Sequence, residues 1–250
     1  VQDCRGVLHD KKHTEYSRVI LALTAIGKNP ADVGGYNLLT PLGDYEKTVW
    51  QGVNGPVFAL IALDSGSYDM PANSAAKTQA SRELYISFIL ARQLSDGGWA
   101  LSGERADADI TAMALQALAN YQSRAEVKAA TDKALLCLSA MQEADGNYSS
   151  WGATNVESAC QVAVALSALG IDPADSRFVK NGRTLVDALL SLYTKGQGFT
   201  HTARAGSGND QMSTEQAFYA LVALQRARQG QNSLYDMSDT AKSSVSAVLI

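Results

Sequence analysis

The chain has little that would staple it covalently or interrupt its helices. Its 250 residues include only three cysteines, Cys4, Cys137 and Cys160, an odd number without metal-ligand spacing. They read as ordinary small thiols, a Cys137–Cys160 pair being the lesser alternative. A globular chain of this length buries roughly 70–75% of its unfolded surface, so neither a disulfide nor a metal is needed to hold it. Five prolines and five phenylalanines stand against abundant alanine and leucine, which favours helix. Charged residues are only 18% of the chain and hydrophobic residues 46%, which excludes a disordered or highly charged tail. A net charge of −4 argues against nucleic acid as a partner. No apolar run reaches the roughly 18 residues that a membrane-spanning helix needs. The start, Val1-Gln2-Asp3-Cys4, is neither a signal peptide nor a natural beginning, so the chain reads as a piece of a longer protein with further domains.

What the sequence does have is an internal repeat. One apolar phrase occurs five times, as Leu21-Ala22-Leu23-Thr24-Ala25-Ile26, Phe58-Ala59-Leu60-Ile61-Ala62-Leu63, Met113-Ala114-Leu115-Gln116-Ala117-Leu118, Val164-Ala165-Leu166-Ser167-Ala168-Leu169 and Tyr219-Ala220-Leu221-Val222-Ala223-Leu224. Within each phrase apolar side chains are almost continuous, as in a helix buried on most sides. Alanines three apart keep one face thin enough for a neighbouring helix to come close. Between the phrases, residues 78–92, 125–142 and 180–193 carry polar stripes opposite leucine-rich ones and predict outer helices, with residues 239–249 as a further one. No alternating run competes as a strand. The expected architecture is all-α, five inner helices paired with outer ones at a period of roughly 50 residues.

Three of the outer segments are followed by a glycine-rich turn ending in an aromatic: Gln93-Leu94-Ser95-Asp96-Gly97-Gly98-Trp99, Gln142-Glu143-Ala144-Asp145-Gly146-Asn147-Tyr148 and Gly196-Gln197-Gly198-Phe199. A second echo pairs Gly27-Lys28-Asn29-Pro30-Ala31-Asp32 with Gly170-Ile171-Asp172-Pro173-Ala174-Asp175, where proline ends a helix and opens the next connection.

The spacing Gln-x3-Gly-x-aromatic resembles the repeat of the prenyltransferase and squalene-cyclase superfamily. The resemblance implies one domain over residues 1–250, an α/α toroid of inner–outer helix pairs. Such toroids have six pairs, so this one lacks its first and is open or completed by another chain. The overall likeness is to the cobalamin-carrier (intrinsic factor and transcobalamin) α-domain, as it occurs in repeat domains of secreted or cell-surface bacterial proteins. That likeness implies an extracellular setting and a corrinoid as ligand rather than a resident cofactor.

The candidate chemistry follows from the same resemblance and from the residues. Asp107-Ala108-Asp109-Ile110-Thr111-Ala112 resembles the D-x-D-D-T-A motif of class II terpene cyclases, in which an aspartic acid protonates an alkene or epoxide. Ile110 replaces the fourth-position aspartate, so Asp107 and Asp109 read first as residues capping an inner helix. Five positions before the first alanine of each phrase stand Ser17, Asn54, Asp109, Cys160 and Glu215. A ring of Asp109, Glu215 and Asn54 would suit a polar ligand.

Of the three histidines, His9 and His13 flank Lys11 and Lys12 and read as solvated, and none matches the prenyltransferase zinc ligands, so no metal is expected. The segment Gly208-Asn209-Asp210-Gln211-Met212 resembles a thioester motif without its cysteine. Trp99, Tyr148 and Phe199 read as structural plugs of their turns. Trp50, Trp151, His201 and Tyr219 are expected to line a mouth for a flat amphipathic ligand, with His201 as the candidate contact to cobalt. The leading expectation is therefore a non-catalytic ligand-binding module using Trp50, Asp109, Trp151, His201, Glu215 and Tyr219. An isoprenoid cyclase or prenyltransferase-like enzyme and a structural adhesion domain are the alternatives.

Overall fold

The computed structural model describes residues 1–150, 152–203 and 208–240. These residues are mostly helical, with nine α-helices and two small two-stranded sheets. They fall into two compact units, Val1–Phe88 with the segment from Tyr235 onward, and Ile89–Leu234.

The first unit holds α1 (Thr14–Ala25), α2 (Tyr45–Val49), α3 (Asn54–Ser65) and most of α4 (Arg82–Leu90). The apolar phrase of α3 has no polar stripe, and Ala59, Leu60, Ile61, Ala62 and Leu63 are all buried. Each large aliphatic side chain so buried contributes about 1.5–3 kcal/mol. Helix α1 packs on α3 but buries only Tyr16, Ser17, Ile20 and Thr24.

In the second unit run α5 (Ala108–Leu118), α6 (Ala125–Met141), α7 (Val156–Ala168), α8 (Leu185–Ser191) and α9 (Gln211–Arg228). Helix α7 packs against both α5 and α9, and every residue from Val156 to Ser167 is buried. Both neighbours carry small buried residues, Ala112 and Ala114 on α5 and Ala217, Ala220 and Ala223 on α9. All five apolar phrases thus lie in helices, save that Ile26 and Leu169 are the C-cap residues of α1 and α7.

The helices expected as outer ones are shorter than the pattern predicts, except α6, which matches. Residues 78–80 are drawn into extended pairing with 43–45, Tyr45 N–H donating to Thr78 and Ala80 N–H to Gly43, so α4 starts only at Arg82. Lys180 and Arg183 bridge across Asn181 and Gly182, and Thr184 then starts α8 with a capping box to Asp187. Residues 241–249 of the last expected outer helix lie outside the described residues.

Two hairpins were not foreseen: β1 (Tyr148–Ser150) with β2 (Ala153–Asn155), and β3 (Tyr193–Thr194) with β4 (Gly198–Phe199). Strands of two or three residues are too short to show a period of two. The expected alternative of a Cys137–Cys160 bridge is also corrected, since both thiols are buried and free.

The repeated turns share one design. Gln93 donates its amide to the carbonyls of Gly97 and Ala130, both at 2.8 Å, and Gln142 does the same to Gly146 at 2.9 Å and Phe178 at 3.0 Å. Each glutamine thereby ties its turn to a segment 36 or 37 residues further on, at Ala130 of α6 or at Phe178. Gly97 and Gly146 have φ of 94° and 89°, and a Cβ there would meet the Lys133 or Thr184 carbonyl at 2.8 or 3.0 Å. Trp99, Tyr148 and Phe199 are buried plugs, the Trp99 indole donating to the Ile89 carbonyl at 2.7 Å. His13 corrects the expectation of a solvated histidine: it is buried with Nδ1 3.2 Å from Thr48 Oγ1, and burial lowers its pKa.

Candidate functional site

Three helices of the second unit, α5, α7 and α9, begin alike. The side chains of Asp107, Asn155 and Asp210 accept the N–H groups of Ile110, Ser158 and Ser213 at 3.0, 2.9 and 2.8 Å. This satisfies one of the amides each helix start leaves open. The caps set a register different from that of the alanines. They align Asp109 of α5 with Glu157 of α7, both in the second helical position.

Glu157 is the centre of a buried polar cluster. One carboxylate oxygen lies 2.8 Å from Nδ1 of His201, and the other accepts a hydrogen bond from Ser213 Oγ. The loop is held as well by its backbone, the Val156 N–H donating to the His201 carbonyl at 3.0 Å. Glu157 is only 8% exposed at its side chain whereas His201 is 52% exposed. A carboxylate facing Nδ1 selects the tautomer with its proton there, in which Nε2 carries the lone pair. Because the serine hydroxyl is engaged by Glu157 and not by the imidazole, the three residues are not arranged as a nucleophile with its base.

Asp109 stands beside this cluster. One of its oxygens is buried without a hydrogen-bond partner. Burial pushes its pKa up to about 6, the carboxylates of Asp107 and Glu157 add to the rise, and the hydroxyls of Ser158 and Ser150 oppose it. Asp107 is fully employed: one oxygen caps α5 and the other accepts Ser150 Oγ at 2.6 Å. The Cys160 thiol is fully buried, and burial, with Glu157 and Asp109 nearby, raises its pKa and makes it inert.

One or two turns further along the helices runs a row of amides. Gln116 of α5 donates to the Gln161 carbonyl oxygens of backbone and side chain at 3.0 and 3.1 Å. Gln161 of α7 donates in turn to Gln216 at 3.1 Å and to the Tyr219 hydroxyl, and that hydroxyl donates to Gln216 at 3.0 Å.

The residues expected at a ligand mouth are therefore placed unequally. His201, Asp109 and Tyr219 belong to polar arrangements at α5, α7 and α9. Glu215 takes no part in them; it is exposed and accepts a 2.9 Å hydrogen bond from Gln211. Trp50 and Asn54 belong to the other unit, where Trp50 is 59% exposed under the Lys11 ammonium, 5.8 Å from the ring centroid. Trp151 lies outside the described residues. Glu157, Ser213, Gln161 and Gln216 were not anticipated, although reading the helix starts by Asn155 and Asp210 instead of by the alanines would have picked out Glu157.

Among the described residues, no group of three His, Cys, Asp or Glu side chains is arranged to hold a metal ion. No helix among them is long and apolar enough to cross a membrane. No protein-family model matches the chain, and no curated protein matches it.

Proposed function

We propose that the chain is an α/α toroid of inner–outer helix pairs, allied to the cobalamin-carrier repeat domains, and that it is a non-catalytic ligand-binding module. The observation that carries this reading is the His201–Glu157 pair. A histidine that ligates a metal characteristically gives its other N–H to a carboxylate or carbonyl, which fixes the tautomer and raises ligand basicity. His201 has that arrangement, with its carboxylate buried and its ring half exposed. Such an imidazole fits an external ligand that carries its own metal with one coordination position to fill, and a corrinoid is the ligand of that kind to which the repeat resemblance leads. The amides of Gln161 and Gln216 and the Tyr219 hydroxyl suit a ligand rim bearing carboxamides. An extracellular or cell-surface setting accompanies this reading.

The test is a visible-absorbance titration of the chain with aquocobalamin and with cobinamide. Saturable one-to-one binding with a spectral shift at cobalt, lost in His201→Ala, is the expected result. Failure of both corrinoids to bind would leave the adhesion-domain reading ahead.

A second reading rests on Asp109, a half-buried carboxyl whose pKa is held up to about 6 beside two other carboxyl groups, as a proton donor to an isoprenoid would need. Incubation with squalene and geranylgeranyl diphosphate decides it. A cyclised product that vanishes in Asp109→Asn would establish the enzyme.

A further inference from the structure

In the unit formed by residues 1–88, a cavity of about 490 Å³ lies under the segment Arg5–Val7, against the start of α1 and the turn before α2. We propose that it binds a small zwitterion of the α-amino-acid type, its carboxylate held by Arg5 and its ammonium by Asp10. The site is separate from the histidine cluster and does not depend on the corrinoid reading.

The lining side chains divide into those already engaged and those that are not. The carboxylate of Asp44 is buried, with one oxygen accepting the Lys47 N–H at 3.1 Å and the other 3.8 Å from the Lys47 ammonium, so that pair largely cancels its own charge. His13 is buried against Thr48 and kept neutral by that burial. His9 accepts the N–H groups of Lys11 and Lys12 at Nδ1, each at 3.1 Å, which puts its proton on Nε2 and makes that nitrogen a donor. Arg5 and Asp10 line the same cavity and make no side-chain hydrogen bond or ion pair among the described residues. One full charge of each sign is thus left for a ligand, together with one neutral donor. A ligand with one carboxylate and one ammonium meets that balance. A purely anionic or cationic one leaves Asp10 or Arg5 opposed.

The arginine is also held where a free chain would not leave it. Arg5 has φ of 49°, in the left-handed region that side-chain-bearing residues avoid. Gly6 behind it has φ of 79° and packs so closely on Tyr36 that a Cβ would lie 2.6 Å from the ring. The Val7 N–H donates to the Cys4 carbonyl at 3.0 Å, and the Leu8 N–H is tied at 3.1 Å to the Tyr16 hydroxyl. A strained backbone anchored in this way is a feature of ligand clamps, and here it carries the uncommitted guanidinium.

The experiment is an NMR titration of the chain with each natural L-amino acid in turn, reading amide shifts of residues 5–16 and 44–48. The best binder is then compared with its N-acetyl and its carboxamide derivatives, which each lack one charge. Saturable shifts are expected with the free amino acid, and both derivatives should bind about tenfold or more weakly. Arg5→Gln and Asp10→Asn, both at exposed positions, should each weaken binding to a similar degree while leaving the spectrum of the remainder unchanged. Three outcomes overturn the proposal: no saturable shift with any amino acid up to about 10 mM, an N-acetyl derivative that binds as well as its parent, or tighter binding in Asp10→Asn, which would mark the cavity as an anion site.

Discussion

His201 Nδ1 lies 2.8 Å from a buried oxygen of Glu157, a residue 44 positions earlier in the chain. The other Glu157 oxygen takes the hydroxyl of Ser213, so a single carboxylate joins the start of α7 to the loop before α9 and to α9 itself. Removing it takes an acceptor from two partners at once, the exposed His201 and the buried Ser213, whose hydroxyl keeps only its 3.0 Å bond to Asp210. Glu157→Ala is expected to cost about 2–4 kcal/mol in urea denaturation. His201→Ala, which removes the exposed partner and leaves the serine bond in place, should cost about 1 kcal/mol or less. Equal losses would mean that the carboxylate is not the hub of the three.

Asp109 gives a pH dependence whose sign can be worked out. Its pKa is raised in the folded chain, to about 6 from the ordinary carboxylate value near 4. Between those values the folded state binds more protons than the unfolded one, so stability falls as pH rises through about 4 to 6 and stays lowered above. Asp109→Asn keeps the shape and removes the charge. It should be near neutral at pH 4 and stabilising by on the order of 2 kcal/mol at pH 7.5. A variant that destabilises equally at both pH values would show that the carboxylate is ionised and satisfied.

Much of the helical framework was legible because burial imposes composition. A helix surrounded by helices must be apolar all round and thin where neighbours approach, and the five alanine phrases state both demands locally. The glutamine–glycine–aromatic turns were legible for the same reason, since each depends on residues a few positions apart. The site was less so. Aligning helices by alanines puts Asp109 with Cys160 and Glu215, whereas the caps align it with Glu157, because α7 and α9 begin about one turn earlier relative to their alanines. The pairing of Glu157 with His201 depends on a loop fold that no local pattern encodes. His13 was misread because charged neighbours in sequence, Lys11 and Lys12, do not decide which way a ring at a helix start turns.

The two turn glutamines offer a matched comparison. Gln142 is buried and its amide serves two carbonyls, while Gln93 serves two carbonyls from a half-buried position. Gln142→Ala should cost about 2–3 kcal/mol, because water does not reach the carbonyls left behind. Gln93→Ala should cost roughly half as much. Thermal melts of the two variants check the order; a larger loss at Gln93 would reverse the argument from burial.

His13 supplies a pH effect opposite to that of Asp109. Burial lowers its pKa below the usual 6.5, against the pull of Asp44 and with the help of Lys47. The unfolded chain therefore binds the proton more readily, and stability is lost as pH falls through about 6.5. His13→Gln retains a polar contact for Thr48 and removes the titration. Wild type and this variant should differ least in denaturation midpoint at the pH where burying a charge costs most, near pH 5, and most above pH 7, where the neutral imidazole keeps its full packing advantage. The Asp109→Asn comparison also widens toward high pH, but with the variant as the more stable partner. Finding the His13 difference widest at acid pH would mean that the folded chain holds the protonated ring, with Asp44 outweighing the cost of burial.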